Sequence, residues 1–322
     1  MLTTGSHERL IAKRFRAGDA ELRFEAELTA LETLGAGMPA PVARLLGSDR
    51  ASLLLVMEYV GDRSVEDALQ GETREDAERS LVAYASAIGR LHRAGGEAVG
   101  TLSQLREVRG YSDSSFWPPF ARDAQASGLA AYASASPELV TSEISEVVAE
   151  TFADPRGRRT LIQWDSWPGN SIARGEQTFL VDLENSMTGD PFVDVASWHL
   201  LFPAAPHRLP LPGVIPLELV QRMDRAYTEA SGQKILPRPL AFGIASRMLF
   251  EVTAAGAQKL AAGTLDHRIR LLYACRLEKA ADVLDRATVL PALMDAMSTM
   301  AAKARGVDLA GTELAPYPAF RA

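Results

Sequence analysis

The stretch Gln163-Trp164-Asp165-Ser166-Trp167-Pro168-Gly169-Asn170, then Val181-Asp182-Leu183-Glu184, then Gly189-Asp190-Pro191-Phe192-Val193-Asp194, decides how the chain is read. Asp165 stands five residues before Asn170, and Asp182 follows further on. Between them, Ser171 to Ala173 and Thr178 to Val181 read as the strands of a β-hairpin about a turn at Arg174 to Gln177. With that turn Ala173 faces Thr178 and Asn170 falls opposite Val181, so Asn170 and Asp182 emerge side by side at one end of the hairpin. A carboxylate, a carboxamide and a second carboxylate gathered in this way offer one group to orient a hydroxyl and two oxygen ligands for a hard cation. Mg²⁺ takes such ligands, and no histidine or cysteine is needed.

Phosphoryl transfer requires this set: a base for the attacking hydroxyl, and oxygen ligands for the metal that bridges the phosphates. The Asp165 to Asn170 spacing and the following Asp182 resemble the catalytic loop and metal aspartate of protein kinases. The three segments in this order resemble the aminoglycoside phosphotransferase and choline kinase-like superfamily. There a histidine-glycine-aspartate loop reaches an asparagine, an aspartate ends a strand, and a glycine-aspartate-proline segment leads into a helix. The resemblance implies Asp165 as catalytic base, Asn170 and Asp182 as metal ligands, and Asp194 as a structural helix-start residue that bonds backbone amides of the catalytic loop. Gln163 and Trp164 depart from the pattern, standing where it has histidine and glycine. That histidine supports the loop and is not the base, so the departure bears on loop packing, and Trp164 on the acceptor site. Glu184, Trp164 and Trp167 are candidates for the acceptor or metal shell. The plain alternatives are a solvated turn carboxylate for Glu184 and core packing for the tryptophans.

Working outward, Arg9 to Phe15 reads as a strand with Ile11, Lys13 and Phe15 on one face. Phe24, Leu28, Leu31 and Leu34 then recur at helical spacing, and Gly35 to Pro41 ends that helix. Lys13 resembles the strand lysine that contacts nucleotide phosphates and is held by a helix carboxylate. Of Glu25 and Glu27, only Glu27 lies inside the apolar stripe, so it is the expected partner. Leu53 to Tyr59 reads as a second strand, and Val56-Met57-Glu58-Tyr59-Val60-Gly61 resembles the hinge whose backbone, at Glu58 and Val60, pairs with the adenine edge. From about Ser64 the chain turns helical. The stripe Leu81, Tyr84, Ile88 and Leu91 predicts a helix ending near Gly95 and Gly96, with Leu91-His92 resembling the close of the helix before the catalytic loop. Only a dozen residues precede Lys13. With a turn at Thr3 to Ser6, they leave no room for a full glycine-rich strand pair over the phosphates. Gly35-Ala36-Gly37 follows a helix and is not a dinucleotide site. His92 and His199 lack an aspartate–serine context and read as packed or exposed helix residues.

The chain has 322 residues, 47% of them hydrophobic, enough for one large domain or two unequal ones. Its formal charge of -7 argues against nucleic acid as a principal partner and tolerates cationic small molecules. The apolar run Leu53 to Met57 is too short to cross a bilayer, and the single Cys275 cannot form an internal disulfide, so a reducing cytoplasm is expected. Leu129 to Ser136 is alanine-rich, and Pro203 to Pro216 carries five prolines and reads as an irregular loop. The resemblance covers about Leu10 to Trp198. It implies an α+β, two-lobed protein kinase-like fold, with a small β-rich nucleotide-binding lobe at 1–59 and a large helical lobe at 60–322 carrying the catalytic loop and acceptor site. Its cofactors are ATP or GTP with Mg²⁺, and its acceptor is a hydroxyl of an antibiotic, amino sugar, nucleoside or amino alcohol. A catalytically silent pseudokinase that binds nucleotide or a partner is the competing reading. A protein kinase is disfavoured, because Asp182-Leu183-Glu184 lacks the glycine of that motif and no activation segment precedes Gly189.

Overall fold

The computed structural model describes residues 2–3, 9–16, 18–35, 40–71, 73–111, 128–152, 157–202, 213–252, 259–260 and 263–321. The chain groups into two compact units. One comprises Met1–Asp113, Arg158–Pro191 and Leu217–Lys234, and the other Ser114–Gly157, Phe192–Pro216 and Ile235–Ala322.

The first unit opens with a four-stranded sheet in the order β1-β2-β4-β3, from β1 (Leu2–Thr3), β2 (Arg9–Arg14), β3 (Leu45–Asp49) and β4 (Leu54–Glu58). All its pairings are antiparallel, and Lys13 sits opposite Leu55. Among the described residues the sheet has one short strand ahead of the lysine strand. The turn expected at Thr3 to Ser6 falls mostly outside them. Helix α1 (Ala20–Gly35) forms as its stripe predicts, burying Phe24, Leu28, Leu31 and Leu34 and, among them, Glu27. Phe24 meets Phe15 edge-on at 5.7 Å between ring centroids, which seats the helix against the end of β2.

Helix α2 (Val65–Gln70) starts at a reciprocal cap: Asp67 N–H donates to Ser64 Oγ at 3.0 Å, and Ser64 N–H donates to Asp67 Oδ2 at 2.7 Å. Helix α3 runs from Arg74 to Val108, so the helix does not end at Gly95 and Gly96, nor close at His92. Gly95 is there for a different reason. A Cβ on it would lie 2.7 Å from both Cβ and N of Leu161, so the missing side chain admits a neighbouring strand rather than stopping the helix. That strand, β5 (Thr160–Ile162), pairs antiparallel with β8 (Met187–Gly189), a ladder the sequence pattern did not reveal. Both strands are only three residues long and buried throughout, so neither carries an alternation to read. Between them β6 (Ser171–Arg174) and β7 (Gln177–Leu180) form the hairpin, with Ala173 facing Thr178. Helix Leu217–Ser231 packs along α3, where His92 Nδ1 lies 3.0 Å from Tyr227 Oη in a buried pair.

The second unit is helical. Pro137–Phe152, Phe192–His199, Pro237–Glu251, His267–Ala287 and Pro291–Arg305 are its main helices. Glu143 receives the N–H groups of Ala292 and Leu293 at 3.1 and 2.8 Å, capping the last helix. Asp194 lies in the first turn of Phe192–His199 and is fully buried. The proline-rich stretch lies mostly outside the described residues. Among the described residues no helix is long and apolar enough to cross a membrane.

Candidate functional site

The first unit contains a cleft of about 290 Å³. Its walls are apolar: Ile11 of the lysine strand, Leu31 of α1, Ala43, Met57, and Leu180 and Leu183 on either side of Asp182. Glu58 and Val60 edge it where β4 runs out. Lys13, Glu27 and Asp182 supply charged groups in its otherwise apolar lining. Gly61 follows with φ of 136°, a conformation open to glycine, and a Cβ there would come within 2.9 Å of Ile172. The chain after β4 thus passes close over the hairpin, and Ala173 N–H donates to Arg63 O at 2.9 Å.

Lys13 Nζ donates to Glu27 Oε2 at 2.6 Å, lies 2.9 Å from Glu184 Oε2, and also bonds Asp182 Oδ1. Glu25 points elsewhere, to Arg50 at 3.1 Å and Arg109 at 3.7 Å. Burial opposes the charge on Lys13, but the Glu27 and Asp182 carboxylates outweigh it and hold the ammonium well above the usual lysine range. Burial pushes the Glu27 carboxyl up to about 7 against the pull of Lys13, with Asp182 and Glu184 adding to the rise. Glu184 is therefore no solvated turn residue: it joins the Lys13 cluster and also meets Arg23 at 3.3 Å. Glu27, Asp182 and Glu184 can each place a carboxylate oxygen within 4.8 Å of the others. An all-oxygen donor set of this charge fits a hard divalent cation.

The catalytic-loop candidates are built by tight turns. Asp165 N–H donates to Gln163 O at 2.8 Å around Trp164, whose φ is 65°. Trp164 thus adopts the left-handed backbone at the position where the related loops carry glycine. Asn170 Nδ2 donates to Asp165 Oδ2 at 3.0 Å and to Asp165 O at 3.1 Å, fixing the carboxylate against the loop. Trp167 folds over Gly169, where a Cβ would clash with its ring. Val181 N–H donates to Asn170 O at 3.0 Å, which sets Asn170 beside the Val181–Asp182 step. Gln163 Nε2 donates to Val181 O at 2.9 Å, tying the loop to the same step. Asp182 itself is left-handed, with φ of 62° and ψ of 58°. Asp165 and Asn170 are not among the residues lining the cleft; they reach it through Val181, which is. Trp164 and Trp167 are 5% and 7% exposed, so their rings are chiefly packed. Sequence reasoning did not single out Leu31, Ala43, Leu180 or Leu183 as cleft walls. The only signal for them is the strand and helix periodicity that also marks ordinary core.

A small antiparallel sheet whose lysine pairs with a buried helix glutamate, in a chain that is otherwise largely helical and carries an aspartate–asparagine loop between short strands, defines the protein kinase-like class of phosphotransferase folds. Residues 1–215 match the family model described as the phosphotransferase enzyme family, and the chain belongs to that family. No curated protein sequence matches it significantly. Among solved structures, a protein of Ralstonia eutropha JMP134 named as an aminoglycoside phosphotransferase is 16% identical, with 94% of each chain covered and a TM-score of 0.51. The macrolide 2'-phosphotransferase MphH of Brachybacterium faecium is 17% identical over 88% of this chain and 87% of its own, with a TM-score of 0.50. These likenesses are of fold.

Proposed function

We propose that the chain transfers the γ-phosphoryl group of ATP, or of GTP, to a hydroxyl of a small molecule such as an antibiotic, amino sugar, nucleoside or amino alcohol. The observation that carries this reading is Lys13, fixed by the buried Glu27 and in contact with Asp182 beside an apolar cleft. Residues 1–59 then supply the nucleotide-binding part, and residues 60–322 the catalytic loop and acceptor site, in the cytoplasm. The apolar walls suit a purine. Glu58 N–H is already bonded to Arg44 O at 3.0 Å, so pairing with the base falls to the Glu58 carbonyl and the Val60 backbone.

Lys13 holds the phosphates as a point charge, and Glu27 keeps it in place. Asp182 and Asn170 hold Mg²⁺, with Glu184 close by, and Asp194 serves as scaffold. Bound there, Mg²⁺ supplies charge neutralisation at the phosphate oxygens. Asp165 accepts the hydrogen bond of the acceptor hydroxyl and orients its oxygen, and the Asn170 amide keeps the carboxylate aimed. Acidic surroundings favour acceptors that carry positive charge.

The test is a phosphate-transfer screen over cationic hydroxyl compounds with Mg²⁺ and ATP or GTP. Asp165→Ala should keep the cooperative melting of the parent and lose about 10²- to 10⁴-fold in turnover. Parental turnover in that variant would remove Asp165 as the base. Nucleotide binding without transfer to any acceptor would favour the silent pseudokinase instead.

A further inference from the structure

The extension of α3 beyond Gly95 carries a buried arginine that does not line the cleft. Arg106 is 1% exposed. Its Nε donates to Thr29 Oγ1 at 3.1 Å, and its Nη2 donates to Ala26 O at 3.3 Å, Ser186 O at 3.3 Å and Ser186 Oγ at 3.2 Å. Its guanidinium also lies 5.0 Å from the centre of the Tyr111 ring, and Tyr111 Oη donates to Ser186 O at 3.4 Å. One planar fork therefore joins two segments. Ala26 and Thr29 flank Glu27 on α1, and Ser186 follows the Asp182–Glu184 step by two residues.

Those are the two segments that supply the carboxylates around Lys13. A relative shift of α1 against the 182–186 segment would move Glu27 away from Asp182 and Glu184, and Lys13 could no longer touch all three. Burying a guanidinium is costly unless its donors are satisfied, and an apolar residue would fill the same space without that cost. What the fork adds is fixed geometry between two backbone segments. Arg109, one turn further on, grips the outer side of the same helix through Glu32 at 2.6 Å and Glu25 at 3.7 Å.

We infer that Arg106 is the positioning residue that sets Glu27 against Asp182 and so holds Lys13 in register with the metal-binding step. The inference rests on the phosphotransferase reading for its kinetic consequence, but its geometry can be tested without it. Arg106→Lys keeps a cation and loses the fork. It should melt cooperatively, raise the Kd for Mg²⁺–ATP about tenfold and leave the acceptor KM unchanged. In a Glu27→Gln background the same substitution should cost less than about threefold, because the link acts through Glu27. Independently of nucleotide, the acylation rate of Lys13 by an amine-reactive reagent should rise severalfold in Arg106→Lys, while Lys234 and Lys279 serve as controls that do not change. If Arg106→Lys fails to fold, Thr29→Val and Ser186→Ala, each removing one acceptor, carry the same comparison. A folded variant with unchanged Mg²⁺–ATP affinity and unchanged Lys13 acylation would overturn the inference, as would a loss undiminished by Glu27→Gln. A parent that binds no Mg²⁺–ATP would overturn the phosphotransferase reading alone, and the Lys13 acylation rate would still decide the role of Arg106.

Discussion

Gln163 is fully buried and donates its carboxamide N–H groups to Val181 O at 2.9 Å and Asn170 O at 3.4 Å. A carboxamide has two donors and does not titrate, so this stitch between the 163–170 loop and the Asp182 step is independent of pH. Gln163→Leu keeps much of the volume but removes the donors. It should cost about 1–3 kcal/mol, read as a lower urea midpoint, with Gln163→His regaining part through its one N–H. A leucine variant as stable as the parent would show that these bonds carry no weight. Trp164 is a counter-example to local economy, since a bulky residue at φ of 65° costs about 1–3 kcal/mol of backbone strain and is retained by burial of its ring. Glu27 brings a pH dependence whose sign is fixed by its shift. Its folded pKa, raised to about 7 from 4.5, means that the folded state keeps a proton the unfolded chain has lost. Stability from this group is therefore fully present below 4.5 and lost as pH rises towards 7, at a slope approaching roughly 1.4 kcal/mol per unit. Denaturant melts of the ligand-free protein across that window should show the fall, and Glu27→Gln should flatten it. An equal slope in the two proteins would contradict the assignment.

Helix α3 shows how the same residue type can be required by a neighbour at one position and merely tolerated at another. Gly95 faces Leu161 with no room for a Cβ, whereas a Cβ on Gly100 would meet nothing within 4 Å. Gly95→Ala should therefore destabilise by about 1–3 kcal/mol through overpacking, although alanine is the better helix former. Gly100→Ala should stabilise by about 0.5–1 kcal/mol, and thermal melts that rank the two variants the other way would contradict the packing account. This contrast explains what could be read in advance. The lysine strand and α1 with Glu27 among its buried residues follow from the sequence periodicity, and the hairpin register about Ala173 and Thr178 follows from the placing of its turn. The β5–β8 ladder and the continuation of α3 did not follow, because three-residue strands carry no pattern and a glycine's reason lies in a partner distant in sequence. The same limit hid Arg106, and it left Glu184 open between the acceptor or metal shell and a solvated turn. A charged residue near a helix end or in a turn reads as solvated until the segments it joins are folded together.

For the molecule as a whole, the net charge of -7 is echoed locally by three carboxylates gathered around one ammonium. Such a cluster attracts a divalent cation, but Lys13 already bonds Asp182 and competes with the metal for it. A nucleotide that draws Lys13 onto its phosphates releases Asp182, and a metal that neutralises the carboxylates removes the repulsion felt by the phosphates. Under the proposed function, nucleotide and Mg²⁺ should therefore bind with positive coupling, each raising the affinity for the other. A ligand present at about 100 times its Kd stabilises the folded state by about 2.7 kcal/mol, well within the reach of a thermal melt. The melting temperature with Mg²⁺ and ATP together should rise by more than the sum of the rises with each alone. Lys13→Met should divide the two halves in opposite directions. It weakens the response to nucleotide, and it strengthens the response to Mg²⁺ alone because Asp182 no longer has the ammonium to satisfy it. Additive shifts in the parent, or an unchanged response to Mg²⁺ alone in Lys13→Met, would show that Lys13 and the metal do not share Asp182.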